Sequence, residues 1–325
     1  MVLPPAIVGN LIQNNSSCFG GAGILVYFSL AVIRGNIIRN NYSAQCSGVI
    51  GGGIFVLGSG SAQIIGNSIT DNSTAPSGMG GGIGLSGSGT PVIRDNTITR
   101  NFAGQGSEGG GVWINAAQAT IVQNLIYNNS ADQGGGIHIF SGDPSLVIES
   151  NAIVNNSVAS WSPLGSAIYA GRGLSSQLTN NVLVGPLAQG ASYSAVYCEN
   201  NNQEPPAFVT NDAFTPDGAG FTGACSGQVG QNGNISVDPL FVNPAGDFRL
   251  QLNSQAIDSG TNAAPNLPQT DLDGKPRILD GNNDCISTVD MGAYELERGI
   301  ASVSFSANSL TFPAQVRGHQ AIRSL

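Results

Sequence analysis

Apolar residues and asparagines recur together along the first two thirds of the chain. Each copy reads as an apolar residue, two variable residues, Asn, a variable residue, an apolar residue, two variable residues and Asn. The clearest copies are IVGNLIQNN at 7–15, IRGNIIRNN at 33–41, IIGNSITDN at 64–72, IRDNTITRN at 93–101, IVQNLIYNN at 121–129 and IESNAIVNN at 148–156. Weaker copies follow at 178–186 and 208–214. This spacing predicts a short unit that is repeated about eight times.

A glycine cluster followed by alternating apolar residues lies between successive copies. Examples are GGGIFVL at 51–57, GGGVWIN at 109–115 and GGGIHIF at 134–140. Alternation with a period of two indicates a β-strand whose side chains point in and out in turn. Each repeat therefore contains two or three short β segments that are separated by turns.

None of these segments can bury its apolar face alone. Stacking the repeats at the interstrand spacing of about 4.8 Å lets each segment pair with its counterpart in the next repeat. We therefore predict an all-β fold, a parallel β-helix of about eight coils.

The first asparagine of each copy keeps the same place in its coil. Stacked carboxamides can form a ladder in which each one bonds to the next, which satisfies buried polar groups. The alternative is that these residues only mark turns. The predicted ladder consists of Asn10, Asn36, Asn67, Asn96, Asn124, Asn151, Asn181 and Asn211.

Composition narrows the classes of protein that the chain can belong to. It has 325 residues, 46 of them Gly, and carries 11 Lys and Arg against 20 Asp and Glu, a net charge of −9. The high glycine content disfavours helical bundles, and a hydrophobic content of 41% with few charges disfavours disorder. Scattered cations on an acidic chain argue against nucleic-acid binding, and no apolar run is long enough for a membrane span.

The alternation of GGGI with NxIxxN resembles the repeats of pectin-lyase-like proteins and of polymorphic outer-membrane proteins. The resemblance covers roughly residues 6–215. It implies a right-handed parallel β-helix, which we assign to residues 1–232. It implies no activity, because this solenoid occurs in enzymes, adhesins and structural proteins.

Residues 233–298 contain half of the acidic residues. The phrases DPLF at 238–241, DFRL at 247–250, DLDG at 271–274 and DMGAYE at 290–295 resemble the choice-of-anchor Q module of bacterial surface and secreted proteins. That resemblance implies an extracellular or cell-surface location. Residues 299–325 resemble the first strands of an immunoglobulin-like domain, or form a disordered tail. Because no signal peptide or cap precedes the repeats, we expect a monomeric fragment of a longer protein.

The cysteine spacing matches the repeat. Cys18 and Cys46 are 28 residues apart, and Cys198 and Cys225 are 27 apart, so each pair falls in neighbouring coils. Two coil-to-coil disulfides are therefore predicted, with Cys285 unpaired or competing for one of the second pair. The alternative is five reduced thiols. A disulfide would indicate an oxidising compartment.

A column of outward-pointing residues follows the glycine clusters. The second residue of each strand should point outward, which places Leu25, Phe55, Gly84, Trp113, His138, Tyr169 and Tyr197 in one column. We expect Phe55, Trp113, His138, Tyr169 and Tyr197 to form an exposed stripe that binds sugar rings on its flat faces. The alternatives are that the rings only stabilise the sheet or that a loop covers them.

Acidic residues are sparse in the repeats. Glu108 and Asp132 precede the aromatic strands of adjacent coils, and His138 and Asp143 follow nearby, so these four are the catalytic candidates. The alternative is that they are solvated loop carboxylates. Arg34, Arg94 and Glu149 occupy equivalent outward positions and indicate a solvated face.

Oxygen-bearing side chains cluster at 271–284. Alternate oxygen ligands near glycine suit calcium, although the spacing is not that of an EF-hand loop. The alternative is a set of Asx-turns with an Asp271–Arg277 or Asp273–Arg277 pair. The candidate ligands are Asp271, Asp273, Asp280, Asn282 and Asp284.

These features favour a secreted or cell-surface protein without catalytic activity, which binds a polysaccharide or a surface partner or serves as a rigid spacer. No cofactor is required, with calcium as an option. The alternative is a polysaccharide lyase or glycoside hydrolase that acts on an acidic polysaccharide such as pectin.

Overall fold

The computed structural model describes residues 4–44, 49–159, 164–172, 176–187, 193–200 and 205–298. Three parallel sheets of eight strands each run along the molecule. Strands are numbered in chain order. Sheet 1 contains β1 (Ala6–Val8), β5 (Val32–Arg34), β9 (Gln63–Ile65), β13 (Val92–Arg94), β16 (Thr120–Val122), β19 (Val147–Glu149), β22 (Gln177–Thr179) and β25 (Ala207–Val209).

The second and third sheets complete each coil. Sheet 2 contains β2 (Leu11–Gln13), β6 (Ile37–Arg39), β10 (Ser68–Thr70), β14 (Thr97–Thr99), β17 (Leu125–Tyr127), β20 (Ala152–Val154), β23 (Val182–Val184) and β26 (Asp212–Phe214). Sheet 3 contains β4 (Ile24–Tyr27), β8 (Ile54–Leu57), β12 (Ile83–Ser86), β15 (Val112–Asn115), β18 (Ile137–Ser141), β21 (Ile168–Arg172), β24 (Ser194–Cys198) and β27 (Ala219–Gly223).

Two smaller sheets complete the secondary structure. One contains the short strands β3 (Ser16–Ser17), β7 (Tyr42–Ser43) and β11 (Ser73–Thr74), and the other is an antiparallel pair of β28 (Phe241–Asn243) and β29 (Asp247–Leu250). The predicted all-β parallel β-helix is confirmed. Eight strands in each of the three large sheets agree with the predicted number of coils.

Equivalent residues of successive repeats pair with one another. Ile33 of β5, for example, pairs with Ile7 before it and Ile64 after it. Inward residues therefore form columns, and one such column is completely buried from Ile33 through Ile64, Ile93, Ile121, Ile148 and Leu178. A repeated β-branched residue at this position fills the interior in the same way in every coil.

Two asparagine ladders run along the corners of the coil. Each ladder asparagine follows a residue in the left-handed region, which turns the chain from one sheet to the next. At the first corner these residues have φ between 50° and 68° and are Gly9, Gly35, Gly66, Asp95, Gln123, Ser150, Asn180 and Thr210. Glycine, Asn and Asp adopt this conformation most readily, which explains several of the residues that precede the ladder.

Glycines in the cluster allow neighbouring coils to approach closely. A Cβ atom on Gly111 would lie 2.6 Å from the carbonyl oxygen of Gly136 in the next coil. Gly109 has a φ of +69° and turns the chain into β15. A side chain at either position would separate the coils or strain the turn.

The region after the last coil packs against the outside of the solenoid. Asn234 extends the first ladder by accepting from Asn211. The chain then folds back, and Phe248, Ile257 and Met291 pack on outward residues of sheet 2 such as Val154 and Val182. Residues 233–298 thus cover one flank of the last four coils.

A buried arginine holds parts of this region together. Arg277 is 1% exposed, lies 3.1 Å from Glu295 through Nη1, and donates to the Gly292 carbonyl through Nη2. The predicted pairing of Arg277 with Asp271 or Asp273 is therefore wrong. Asp271 accepts backbone N–H groups instead, and Asp273 pairs with Arg249.

Glu149 does not belong to a solvated face. It is fully buried, and its Oε2 accepts the N–H of Asn266 at 3.0 Å. The expectation failed because residues 233–298 cover this outward position of sheet 1. Arg34, at the equivalent position of β5, is exposed, so the repeat pattern does not reveal that Glu149 is covered.

One predicted disulfide links the last two coils. Cys198 at the end of β24 is bonded to Cys225, which confirms that pair. The other predicted bridge involves Cys46, which lies outside the described residues. Cys285 is exposed and has no disulfide partner among the residues that the structure describes. The immunoglobulin-like or disordered tail predicted at 299–325 also lies outside them.

Candidate functional site

The predicted ladder asparagines lie together, as their spacing requires. Side-chain Nδ2 groups donate to the Oδ1 of the next coil at 2.9–3.2 Å throughout the series from Asn10 to Asn211. A second ladder, formed by the last asparagine of each copy, was not predicted and runs through Asn15, Asn41, Asn72, Asn101, Asn129 and Asn156. Both ladders are structural and hold the corners at a fixed spacing.

The predicted aromatic column is also continuous in register. Leu25 pairs with Phe55, Phe55 with Gly84, and the series continues through Trp113 and His138 to Tyr169 and Tyr197. The His138 and Tyr169 rings are stacked, with centroids 4.7 Å apart and an interplanar angle of 15°. Tyr169 and Tyr197 follow at 5.0 Å with a tilt of 46°.

The expected exposure of this column is wrong. Tyr197 is half-buried. The other four ring-bearing members are at most 7% exposed: Phe55 at 5%, Trp113 at 3%, His138 at 2% and Tyr169 at 7%. The rings of His138, Tyr169 and Tyr197 stack on one another. Glu108, which lies ahead of β15, contacts Trp113 and His138 at their edges. A sugar ring therefore has no flat face to bind along the column.

Two carboxylates border the column. Trp113 Nε1 donates to Glu108 Oε2 at 3.0 Å, and His138 Nδ1 lies 3.4 Å from the same oxygen. One coil further, the Tyr169 hydroxyl donates to Glu199 Oε1 at 3.1 Å. The turn at Gly109 lets Glu108 fold back over the strand that follows it.

These contacts place several groups in unusual protonation states. Burial raises the pKa of the Glu108 carboxyl, the hydrogen bond from Trp113 lowers it, and the charge of Glu199 raises it further. Burial lowers the pKa of His138 to about 3, so its imidazole is neutral. Burial also raises the pKa of the Tyr169 hydroxyl, as does the charge of Glu199.

Only two of the four catalytic candidates lie together. Glu108 and His138 are neighbours, whereas Asp132 accepts the N–H of Gly106 and Asp143 accepts from Gln118 and Ser145. Asp132 therefore stabilises a loop on one side of the strands. Asp143 stabilises a turn that follows β18, where it does not meet the other carboxylates.

A cavity of about 350 Å³ opens beside this cluster. Its lining includes Glu108, His138, Phe140, Ser141 and Glu199. The Phe140 ring is 50% exposed and lies 6.1 Å from the ring of Trp113. Sequence reasoning missed Phe140 and Glu199. The available signals were an extra apolar residue in β18 and an acid directly after Cys198.

A family model described as right handed beta helix region matches residues 6–183, more than half of the chain. The chain belongs to this right-handed β-helix family. Among curated proteins, none matches it.

The calcium candidates of this right-handed β-helix protein lie in two separate turns. Asp271 and Asp273 belong to one, where Asp271 accepts three backbone N–H groups and Asp273 pairs with Arg249. In the other turn, Asp280 accepts three backbone N–H groups, and Asn282 donates to Asp284. Within the described ranges, no group of three or more His, Cys, Asp or Glu is arranged to hold a metal ion. Calcium binding stays a prediction that a titration must test.

The described residues include no helix that is long and apolar enough to cross a membrane.

Proposed function

We propose that this protein is a secreted or cell-surface β-helix that binds a polysaccharide without cleaving it, in the cavity beside Glu108 and Phe140. The Cys198–Cys225 disulfide supports an oxidising, extracytoplasmic location. The resemblance of residues 233–298 to the choice-of-anchor Q module supports the same location. The buried aromatic column is then the support of the site, and the cavity is the contact surface.

The combination of an exposed ring with carboxylate acceptors carries the proposal. Phe140 presents a half-exposed ring at a cavity whose wall also holds Glu108 and Glu199. A sugar ring packs its C–H face on an aromatic ring and donates its hydroxyls to carboxylate oxygens. The ladder, the ring stack and the contact to Trp113 hold these groups in place before a ligand arrives.

The charge at the cavity favours neutral polysaccharides over polyuronates. The charge of Glu199 already raises the pKa of Glu108 and of Tyr169. A further carboxylate from a uronic acid unit would add to the same repulsion. We therefore expect neutral glucans or mannans to bind more tightly than polygalacturonate.

Retention on immobilised polysaccharides tests the proposal. Phe140→Ala should abolish retention on the preferred neutral polysaccharide, whereas Phe102→Ala, which removes a ring of similar exposure elsewhere, should not. Equal retention of both variants would exclude the cavity as the binding site. Absence of retention for the unmodified chain on every polysaccharide would leave the rigid spacer as the function.

A glycoside hydrolase or polysaccharide lyase is the second candidate, and the state of Glu108 favours it. Burial raises the pKa of this carboxyl, as a general acid requires, and Glu199 provides a second carboxylate near the same cavity. His138 is a poor base because its nitrogens are buried without hydrogen-bond partners and its pKa is lowered. Release of reducing or unsaturated ends that disappears in Glu108→Gln would establish the enzyme.

A further inference from the structure

A second cavity lies between sheet 1 and the region that folds back over the solenoid. It measures about 610 Å³ and is lined by Arg94, Asp95 and Gln123 on the solenoid side. Pro268, Thr270 and Leu272 line the other side. This volume lies within the range of about 300–1,000 Å³ that is common for small-molecule sites. We call this cavity the crevice.

We propose that the crevice is a second saccharide site, specific for neutral hexose units. The proposal does not depend on the cavity beside Phe140, since none of its residues lines the crevice.

Asp95 fixes the polar side of the crevice across two coils. Its Oδ2 accepts from Arg94 Nη1 at 3.0 Å in its own coil, and its Oδ1 accepts from Gln123 Nε2 at 3.0 Å in the next coil. The Arg94 side chain makes no other hydrogen bond among the described residues and is 47% exposed. The guanidinium is therefore held in place while its remaining N–H groups can donate to a ligand.

Two of the crevice residues have a backbone conformation that is unfavourable for most side chains. Asp95 and Gln123 both have φ in the left-handed region, at 59° and 56°. Gln is not one of the residues that favour this region, yet the Gln123 side chain is buried and bonded to Asp95. The corner thus aligns the three polar side chains before a ligand enters.

Each charged group in the crevice has a polar partner. The guanidinium of Arg94 faces the carboxylate of Asp95. Asp271, which also lines the crevice, is buried and its oxygens accept the N–H groups of Asp273, Lys275 and Glu295. An ionic ligand would therefore gain little, because no charge in the crevice lacks a compensating partner.

A neutral polyhydroxylated ring matches the remaining groups. Hydroxyls both donate and accept, so they can accept from Arg94 and bond to the Thr270 hydroxyl. The apolar C–H face of the same ring can pack on Pro268 and Leu272, which form the apolar part of the lining. A hexose unit provides both kinds of surface in one ring.

Calorimetric titration of the full chain with neutral and acidic hexasaccharides tests the proposal. The probes are cellohexaose, mannohexaose and hexagalacturonate, and the protein carries Phe140→Ala so that the other cavity does not contribute. We expect one of the neutral probes to bind. Arg94→Met should weaken that binding about tenfold or more, and Thr270→Val should weaken it as well.

Arg34→Met is the matched control. Arg34 is an exposed arginine of β5 at the position equivalent to Arg94, two coils away from it. It should leave the affinity unchanged. The proposal is overturned if neither neutral probe binds, if Arg94→Met and Arg34→Met have equal effects, or if hexagalacturonate binds most tightly. Because Phe140→Ala is present throughout, these outcomes do not decide whether the other cavity binds polysaccharide.

Discussion

Each ladder asparagine satisfies backbone groups as well as neighbouring side chains. Asn124 donates to the carbonyls of Ile93 and Val122 and to Asn151 Oδ1, and its own Oδ1 accepts from Asn96. Aspartate lacks the donors and serine lacks the reach, so only a short carboxamide fulfils this role. The recurrence of Asn at one place in the repeat was therefore sufficient to predict the first ladder.

Replacing Asn124 by Ala should lower the free energy of unfolding by about 3–5 kcal/mol, because it leaves several buried donors and acceptors without partners. Denaturant unfolding measures the change. Asn253→Ala, at an exposed position, should change the value by less than about 0.5 kcal/mol. Equal effects of the two substitutions would contradict the ladder's contribution.

Asp212 gives the stability a dependence on pH. It is fully buried, and burial raises its pKa to about 7, whereas the same carboxyl titrates near 4 in the unfolded chain. The unfolded state therefore releases this proton first, and stability falls as the pH rises from about 4 to about 7.

The Asp212→Asn variant lacks the titrating carboxyl and therefore lacks this pH-dependent contribution to stability. The stability of the variant relative to the parent chain should therefore increase with pH across that window, by up to about 1.4 kcal/mol per pH unit. Urea unfolding at a series of pH values measures the difference. Parallel profiles for the two proteins would show that Asp212 is ionised in the folded state.

Strands of two to five residues do not fold alone, so each element of this protein depends on its neighbours in the adjacent coils. The aromatic column illustrates how far sequence reasoning reaches at this scale. Alternation in β15 and β18 correctly places Trp113 and His138 in one column. It does not reveal that Glu108, five residues before Trp113, folds back over the column, because that depends on the turn at Gly109 and on the stacked coils.

The Cys198–Cys225 disulfide fastens the last coil to its neighbour. It closes a loop over a sequence separation of 27 residues, which corresponds to about 3–4 kcal/mol in the chain-entropy account. Cys198→Ala combined with Cys225→Ala should lower the unfolding free energy by that amount. Cys285→Ala, which removes an exposed free thiol, should have almost no effect. A similar loss in both variants would argue against the predicted contribution.

At the scale of the whole molecule, residues 233–298 are attached to the solenoid by an apolar contact and by hydrogen bonds. Phe241, Phe248 and Met291 pack on sheet 2, and Glu149 of β19 accepts the N–H of Asn266. Within the region, buried Arg277 pairs with Glu295. Burial raises the pKa of Glu295, and the positive charge of Arg277 opposes that shift. The pair joins two parts of this region and therefore stabilises the region's own fold.

Arg277→Met should destabilise the fold of this region, because it removes the cation from a buried group of carboxyls at a cost of about 3–5 kcal/mol. Hydrogen exchange at 256–296 should become much faster, while exchange in β15, β16 and β17 stays slow. Arg249→Met, at an exposed pair with Asp247 and Asp273, should change exchange little. Uniform loss of protection in both regions would indicate global unfolding instead of local unfolding of residues 233–298.

The sequence by itself determined the repeat, the parallel stacking and the first ladder, and it predicted the Cys198–Cys225 pair among other pairings. These features follow from spacing, because identical coils place equivalent residues one above the other. Only the tertiary structure decided which outward side chains are covered. Glu149 is buried, whereas Arg94, two coils away in the same column, lines the crevice. The difference arises because residues 233–298 cover the outward position of Glu149 fully and that of Arg94 only in part. Whether a side chain points inward or outward is a local property of its strand, whereas the burial of an outward side chain depends on which distant parts of the chain pack over it.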